Sequence, residues 1–150
     1  MRARRRFLAG GGALAAAALA RIPAARAQSP EFTRAYGTVV AGAAVRKGRV
    51  ALDIPRLADN GNSVPLKLTV ESALAPAEHV TRVTLLSPRN PRPVMAVFHF
   101  GPRAGHARIS TRVRLNGTQR VVAIAQFSDG SLWSGEAEVE VTESACLDMG

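Results

Sequence analysis

Hydrophobic residues recur at two different spacings along this chain, and the change of spacing separates a short helix from a series of strands. After Ser29 and Pro30, apolar residues recur every three to four positions as far as Val40, which is the period of one helical face. Serine commonly caps helices, proline is favoured in the first turn, and a glycine such as Gly42 or Gly48 is suited to ending one. The pattern predicts one short helix at the start of the folded domain.

Alternation of apolar and polar residues, the period of a strand with one buried face, replaces the helical spacing after Gly48. Residues 57–62 are a predicted turn, and Asn116-Gly117 and residues 128–131 are hairpin signals. The proline-rich stretch 87–93 is predicted to be an exposed loop, because proline cannot join a central ladder. Strands are therefore predicted over residues 50–54, 64–71, 80–86, 94–100, 108–115, 119–127 and 132–141. Seven or so short strands indicate an all-β, antiparallel immunoglobulin-like sandwich.

Two of these strands carry side chains of further interest. Residues 94–100 are apolar on both alternating sets apart from His99, which predicts burial on two sides or an interface with another protein. His99 itself is interpreted as an interface or core residue rather than a metal ligand. The arginines of 108–114 predict a solvated strand face, with a stripe that steers anions as the alternative.

The first 27 residues have the pattern of an export signal and not of a folded segment. Arg4 and Arg5 precede two bulky apolar residues after a spacer, as in the twin-arginine pattern, and 25–27 has the small-x-small form of a cleavage site. The intervening apolar run is too short and too rich in Ala and Gly to favour stable membrane insertion. We therefore expect a mature chain that begins at Gln28, exported through the twin-arginine route to the periplasm.

The net charge changes once this signal is removed. The whole chain carries a formal charge of +9, and residues 1–27 hold six arginines and no acidic residue, so removal lowers the charge by six to +3. The high isoelectric point is thus a property of the signal and gives no support to nucleic-acid binding. The remaining 123 or so residues are enough for one domain with a real core.

The only cysteine of the chain, Cys146, lies on a short tail beyond the last predicted strand. We predict a sandwich domain over 28–142 and a flexible arm over 143–150, loosely packed after Thr142. An unpaired cysteine in an exported protein indicates a reactive or intermolecular role, with an incidental cysteine on a frayed end as the alternative. Measured from Val141, five extended residues could move the sulfur through roughly 17 Å.

Few other residues indicate chemistry. The three histidines, His79, His99 and His106, lie on separate predicted elements and lack metal-ligand spacing. The sequence contains no serine-histidine-acid set, phosphate-binding loop or paired-carboxylate motif, so we expect a protein that is not an independent enzyme and has no cofactor.

Six short motifs follow one another along the chain: Asp53-Ile54-Pro55 and residues 57–65, 90–93, 98–100, 110–115 and 128–133. Taken together, they resemble the SoxY family of the bacterial sulfur-oxidation system. The resemblance implies an immunoglobulin-like sandwich that holds sulfur intermediates covalently on a C-terminal cysteine, which corresponds to Cys146. It also implies a heterodimer with a SoxZ-like subunit, loading by a SoxXA-like haem protein, release of sulfate by a SoxB-like hydrolase, and oxidation of the remaining sulfur by a sulfane dehydrogenase.

The arm differs from the usual pattern of the family, in which glycines surround the cysteine. Here Ser144-Ala145 precede Cys146 and Leu147-Asp148 follow it, which predicts a stiffer arm and leaves the identity of the sulfur cargo open. The alternative function is a periplasmic sandwich that binds a partner, or a soft metal such as Cu(I) through Cys146 and Met149.

Overall fold

The computed structural model describes residues 28–72 and 77–145; the predicted signal, with Arg4 and Arg5, and the thiol-bearing end of the arm, with Cys146, lie outside these ranges. The described chain forms one helix and nine strands. In chain order they are α1 (Pro30–Val40), β1 (Val45–Lys47), β2 (Val50–Asp53), β3 (Leu57–Asn60), β4 (Val64–Val70), β5 (Val80–Leu86), β6 (Val94–His99), β7 (Arg108–Val113), β8 (Gln119–Phe127) and β9 (Leu132–Glu143).

The strands form two sheets, which confirms the predicted mainly antiparallel sandwich. The large sheet has the order β1-β9-β8-β5-β6, and β3 also pairs with β9, whereas the small sheet has the order β2-β4-β7. Neighbouring strands are antiparallel except at the outer edge of β9, where β1 pairs with its beginning and β3 with its end, both in parallel. The long strand β9 therefore holds both short edge strands.

The main core lies between the two sheets, and strand alternation accounts for it. In β4, Val64, Leu66 and Leu68 are buried, while Pro65 and Lys67 between them are exposed on the outer face. Because successive side chains of a strand point to opposite faces, one set of each strand reaches this core. A fully buried leucine or valine contributes about 1.5–3 kcal/mol to folding.

Helix α1 covers the outer face of the large sheet. Phe32 packs there against Leu86 and Ile124 in a second buried cluster. The predicted cap is confirmed, because the Ser29 side chain accepts a hydrogen bond from the Phe32 N–H at 3.1 Å. The helix ends at Val40, and Ala41 after it caps the helix in the left-handed conformation typical of such ends. With eleven residues, α1 is not long and apolar enough to cross a membrane, and the described residues contain no helix that is.

Residues 57–60 form strand β3 and not the predicted turn. The strand pairs in parallel with the end of β9, Leu57 opposite Glu140 and Asn60 opposite Glu143. The turn itself is confined to the two residues after Asn60. Polar residues are tolerated here because an edge strand pairs through its backbone on one side and leaves its side chains largely in solvent.

The Asn116-Gly117 signal does not form a hairpin, although the signal at 128–131 does. Strand β7 pairs only with β4 in the small sheet, whereas β8 pairs with β5 and β9 in the large sheet. The segment 114–118 is therefore a crossing between the two sheets, and Gly117 takes the positive φ of 83° that this bend requires.

Strand β6 is an edge strand and is not buried on two sides within this chain. It pairs with β5 on one side only, and Val94 and Val97 are 40% and 45% exposed. His99 is also exposed, so its interpretation as a core residue is wrong. The predicted interface at this strand stays a prediction.

Candidate functional site at the start of the cysteine arm

The arm begins as a packed segment. Strand β9 continues to Glu143, beyond the predicted end near Thr142, and Ala145 is only 6% exposed. Thr142 donates its hydroxyl to the backbone oxygen of Asp59 at 2.8 Å. The expectation of loose packing after Thr142 is therefore wrong for residues 143–145, which we call the arm base.

Three backbone hydrogen bonds hold the arm base, and we call them together the backbone clamp. The N–H of Gly61 donates to the oxygen of Glu143 at 2.7 Å, and the N–H of Leu115 donates to the oxygen of Gly61 at 2.8 Å. The N–H of Ala145 then donates to the oxygen of Leu115 at 3.0 Å. The clamp thus joins three segments that are distant in sequence: the turn after β3, the crossing between the sheets and the arm base.

Gly61 occupies its place in the clamp because no larger residue fits there. A Cβ atom at this position would lie 2.3 Å from the backbone oxygen of Leu115 and 2.9 Å from the backbone nitrogen of Ala145. Both contacts are with backbone atoms, which cannot rotate away as a side chain would. Glycine is the residue that allows backbones to approach this closely.

The clamp changes the predicted reach of the thiol. Because Ala145 is hydrogen-bonded and buried, the chain is held up to the residue before Cys146 and not only up to Val141. Consecutive Cα atoms are about 3.8 Å apart, so the segment beyond Ala145 starts from a fixed point on the sandwich. The estimate of roughly 17 Å, which counted free chain from Val141, is too large by the length of this held segment.

A buried polar network holds the segment that contributes Leu115 to the clamp. Ser87, Asn90 and Gln119 are all buried, so the stretch 87–93 is not the wholly exposed loop that its prolines predict. The Ser87 hydroxyl donates to Gln119 Oε1, and the Asn90 side chain accepts from the Asn116 N–H at 2.9 Å and donates to the Arg114 oxygen at 2.8 Å. These bonds fix the crossing that contributes Leu115 to the clamp.

Replacing Asn90 with alanine should lower the free energy of unfolding by about 2 kcal/mol, because its buried side chain makes two part-buried hydrogen bonds, to the Arg114 oxygen and from the Asn116 N–H, and both are lost. Equilibrium unfolding in urea measures the change. The matched control is Asn116→Ala, whose side chain donates one exposed bond to the Arg89 oxygen at 3.3 Å and should cost about 0.5 kcal/mol. Equal losses in the two variants would show that the buried network does not support this region.

Arg89 stands beside the arm base. Its Nη1 donates to the backbone oxygen of Thr118 at 3.1 Å, and its N–H donates to Gln119 Oε1 at 3.3 Å. A Cβ atom on Gly117 would lie 3.4 Å from the Arg89 guanidinium carbon and 3.3 Å from the hydroxyl oxygen of Ser144. The guanidinium and the arm base therefore border the same glycine.

A groove of about 880 Å³ opens next to Arg89 along β3, β8 and β9. Arg120 in this groove is paired with Glu138 at 2.9 Å and with Glu136 at 3.6 Å. The hydrogen bond to Glu138, followed by the charges of both glutamates, raises the pKa of Arg120. The groove is thus lined by Arg120, whose charge is paired with glutamates, and by Arg89.

The family model of sulfur oxidation protein SoxY matches residues 37–146, which is more than half of the chain. The chain belongs to the SoxY family. None of the curated proteins matches it.

Solved structures agree with the fold of this SoxY-family chain. The sulfur carrier protein SoxY from Chlorobium limicola f thiosulfatophilum is similar with a TM-score of 0.62 and 23% identity, over 74% of this chain and 91% of that one. A superoxide reductase (neelaredoxin) from Ignicoccus hospitalis is similar with a TM-score of 0.56 and 16% identity, over 73% and 91%. At such identities the likeness shows the fold alone, and the fold occurs in a reductase as well as in a carrier.

The histidines of this SoxY-family chain do not come together. His79 precedes β5, His99 ends β6 and His106 lies in the loop before β7. Within residues 28–72 and 77–145, no three His, Cys, Asp or Glu side chains form a group that could hold a metal ion. The alternative soft-metal site at Cys146 and Met149 falls outside the described residues.

Sequence reasoning missed three residues that build this site: Gly61, Arg89 and Asn90. Gly61 and Asn90 lie in the SoxY-like motifs, but local patterns assigned them to a turn and to an exposed loop. Apart from Ser87, which bonds the Asn90 N–H, their partners lie between 24 and 82 residues away along the chain, for example Arg114 for Asn90 and Glu143 for Gly61. A single sequence contains no signal for such pairings.

Proposed function

We propose that this chain is a sulfur carrier that holds sulfur intermediates covalently on Cys146 and presents them to partner enzymes. The observation that carries the proposal is the extent of the SoxY match, which ends at Cys146 itself. The relative from Chlorobium is described as a sulfur carrier protein. The backbone clamp adds a physical argument, because it fixes the chain up to the residue before this cysteine.

The chemistry needs only a thiolate on this chain, since a thiolate attacks and exchanges at sulfur. Loading joins the thiolate to the outer sulfur of thiosulfate, which forms an S–S bond and releases two electrons to an oxidant. Hydrolysis then breaks the bond between that sulfur and the sulfonate group: water supplies the oxygen, sulfate and two protons leave, and a persulfide remains on the cysteine. The enzymes supply the catalysis and this chain supplies the attachment.

Each of these chemical steps requires a partner enzyme. A SoxXA-like haem protein accepts the two electrons of loading, a SoxB-like hydrolase releases sulfate, and a sulfane dehydrogenase oxidises the persulfide. We place the cycle in the periplasm, after export directed by Arg4 and Arg5. A SoxZ-like subunit fits the exposed apolar edge at β6, where Val94 and Val97 face solvent. No cofactor of its own is needed by the chain.

The intact mass of the native protein tests the carrier function. The protein is purified from its own cells with its partners and without reductant. We expect a population of this chain heavier by whole sulfur atoms or by a thiosulfonate group, located on the Cys146 peptide and removed by dithiothreitol. Finding only unmodified or metal-bearing protein under conditions of active sulfur oxidation would contradict the proposal and favour the partner-binding or soft-metal alternative.

A further inference from the structure

We propose that the guanidinium of Arg89 binds the anionic sulfonate end of a group attached to Cys146. This inference rests on the carrier function proposed above for the identity of the ligand. The site that it assigns, however, is built from described residues: Arg89, the crossing at Gly117 and the arm base.

The backbone of Arg89 is held by the polar network. Its N–H donates to Gln119 Oε1, and its oxygen accepts from Asn116 Nδ2 at 3.3 Å. Its Nη1 is bound to the Thr118 oxygen at 3.1 Å, which orients the planar guanidinium. A side chain held at both ends loses less freedom when it binds a ligand, because part of its rotamer entropy has already been lost.

The positive charge of Arg89 is not neutralised by its described neighbours. No carboxylate oxygen of the described residues lies within 4.0 Å of it, in contrast to Arg120, which is paired with two glutamates in the same groove. The one bond of its guanidinium goes to a neutral backbone oxygen. Arg89 therefore keeps N–H groups and a full charge for an anion.

The distance to the arm is short. The Arg89 guanidinium carbon and the Ser144 hydroxyl oxygen both lie within 3.4 Å of one point, the place where a Cβ atom on Gly117 would be. The chain from Ser144 to Cys146 spans at most about 7 Å. Because Ala145 is held by the clamp, that short span begins beside Arg89.

The ligand class follows from the geometry of the donor. A guanidinium presents two parallel N–H groups that match two oxygens of a carboxylate, phosphate or similar oxyanion. A thiosulfonate on cysteine keeps three such oxygens and one negative charge, whereas a free thiol offers neither. Arg89 would thus favour the loaded arm over the empty one.

Alkylation of Cys146 with two reagents tests the inference. Iodoacetate carries a negative charge and iodoacetamide does not, but both react with the same thiolate, so the ratio of their rates is independent of the thiol pKa. The mature protein is used with its partners, and the mass of this chain, which has one cysteine, reports the reaction. In Arg89→Gln we expect the iodoacetate-to-iodoacetamide ratio to fall about threefold at about 0.1 M salt, where the Debye length is about 10 Å, as for the loss of one partly screened charge contact.

Two variants make the test specific. Arg108→Gln removes the same charge at the opposite end of β7, about 17 Å along the strand from Val113, and should leave the ratio unchanged because that distance exceeds the Debye length. Arg89→Lys keeps the charge, so its iodoacetate-to-iodoacetamide ratio should stay close to that of the wild type. An unchanged ratio in Arg89→Gln, or an equal fall in Arg108→Gln, would overturn the inference. Sulfur adducts on Cys146 together with an unchanged ratio would refute the role of Arg89 and leave the carrier function standing. A lowered ratio without sulfur adducts would instead support the role of Arg89 and contradict the carrier function.

Discussion

Cys146→Ser is expected to abolish oxidation of the sulfur substrate in a reconstituted system or in cells, with a loss of at least about 100-fold. The physical reason is that a hydroxyl at neutral pH is not ionised and cannot form or exchange a bond with sulfur as a thiolate does. The measurement is substrate-dependent electron release, with thermal unfolding of the same sample as a check on the fold.

Ser144→Ala is the matched control for this variant. It removes a hydroxyl two residues upstream on the exposed part of the arm base and should retain activity close to that of the wild type. Wild-type turnover in Cys146→Ser would end the carrier proposal, because no other cysteine exists in the chain to take over. Loss of activity in both variants would instead indicate damage to the arm base.

Gly61→Ala is expected to lower the free energy of unfolding by about 2–3 kcal/mol and Tm by about 10 °C. The new Cβ would lie 2.3 Å from the Leu115 oxygen and 2.9 Å from the Ala145 nitrogen, so the clamp must open or the surrounding backbone must move. If the clamp opens, the amide of Ala145 loses its bond to Leu115 and exchanges with solvent sooner. Hydrogen exchange of the C-terminal peptide measures this, and alkylation of Cys146 should accelerate with it.

The matched control is Gly135→Ala, on the same strand β9 but far from the arm. A Cβ there would lie 2.2 Å from the Val50 oxygen, so the steric conflict is comparable. This variant should lose a similar amount of stability without selective exchange at Ala145. If Gly61→Ala unfolds at the wild-type temperature and keeps the Ala145 amide protected, the clamp does not hold the arm base.

The sequence by itself determined the elements whose information is local. Ser29 and the spacing of apolar residues predicted α1, and its cap forms as expected. Alternation predicted β4, and the 128–131 signal predicted the hairpin between β8 and β9. These succeed because capping, periodicity and tight turns depend on residues within a few positions of one another. The motifs of the SoxY family and the lone thiol at Cys146 are also properties of the sequence alone.

Only the tertiary structure decided which strands pair and how the arm begins. Turn residues at Asn116-Gly117 mark a change of direction but do not specify whether the next strand joins the same sheet, and here it joins the other. Residues 57–60 have the composition of a turn, yet the open edge of β9 offers backbone groups with which they pair. Pairing through backbone atoms leaves little trace in side-chain identity, so local patterns could not show it.

The same distinction between local sequence information and long-range packing applies to the candidate site. Cys146 is visible in the sequence because a single thiol is chemically distinct, whereas its setting depends on contacts between residues such as Gly61 and Glu143, which are 82 positions apart. Arg89 resembles any exposed loop arginine until the crossing at Gly117 brings the arm base beside it. The sequence therefore supplied the reactive group, and the packing of three distant segments supplied the fixed point and the cation next to it.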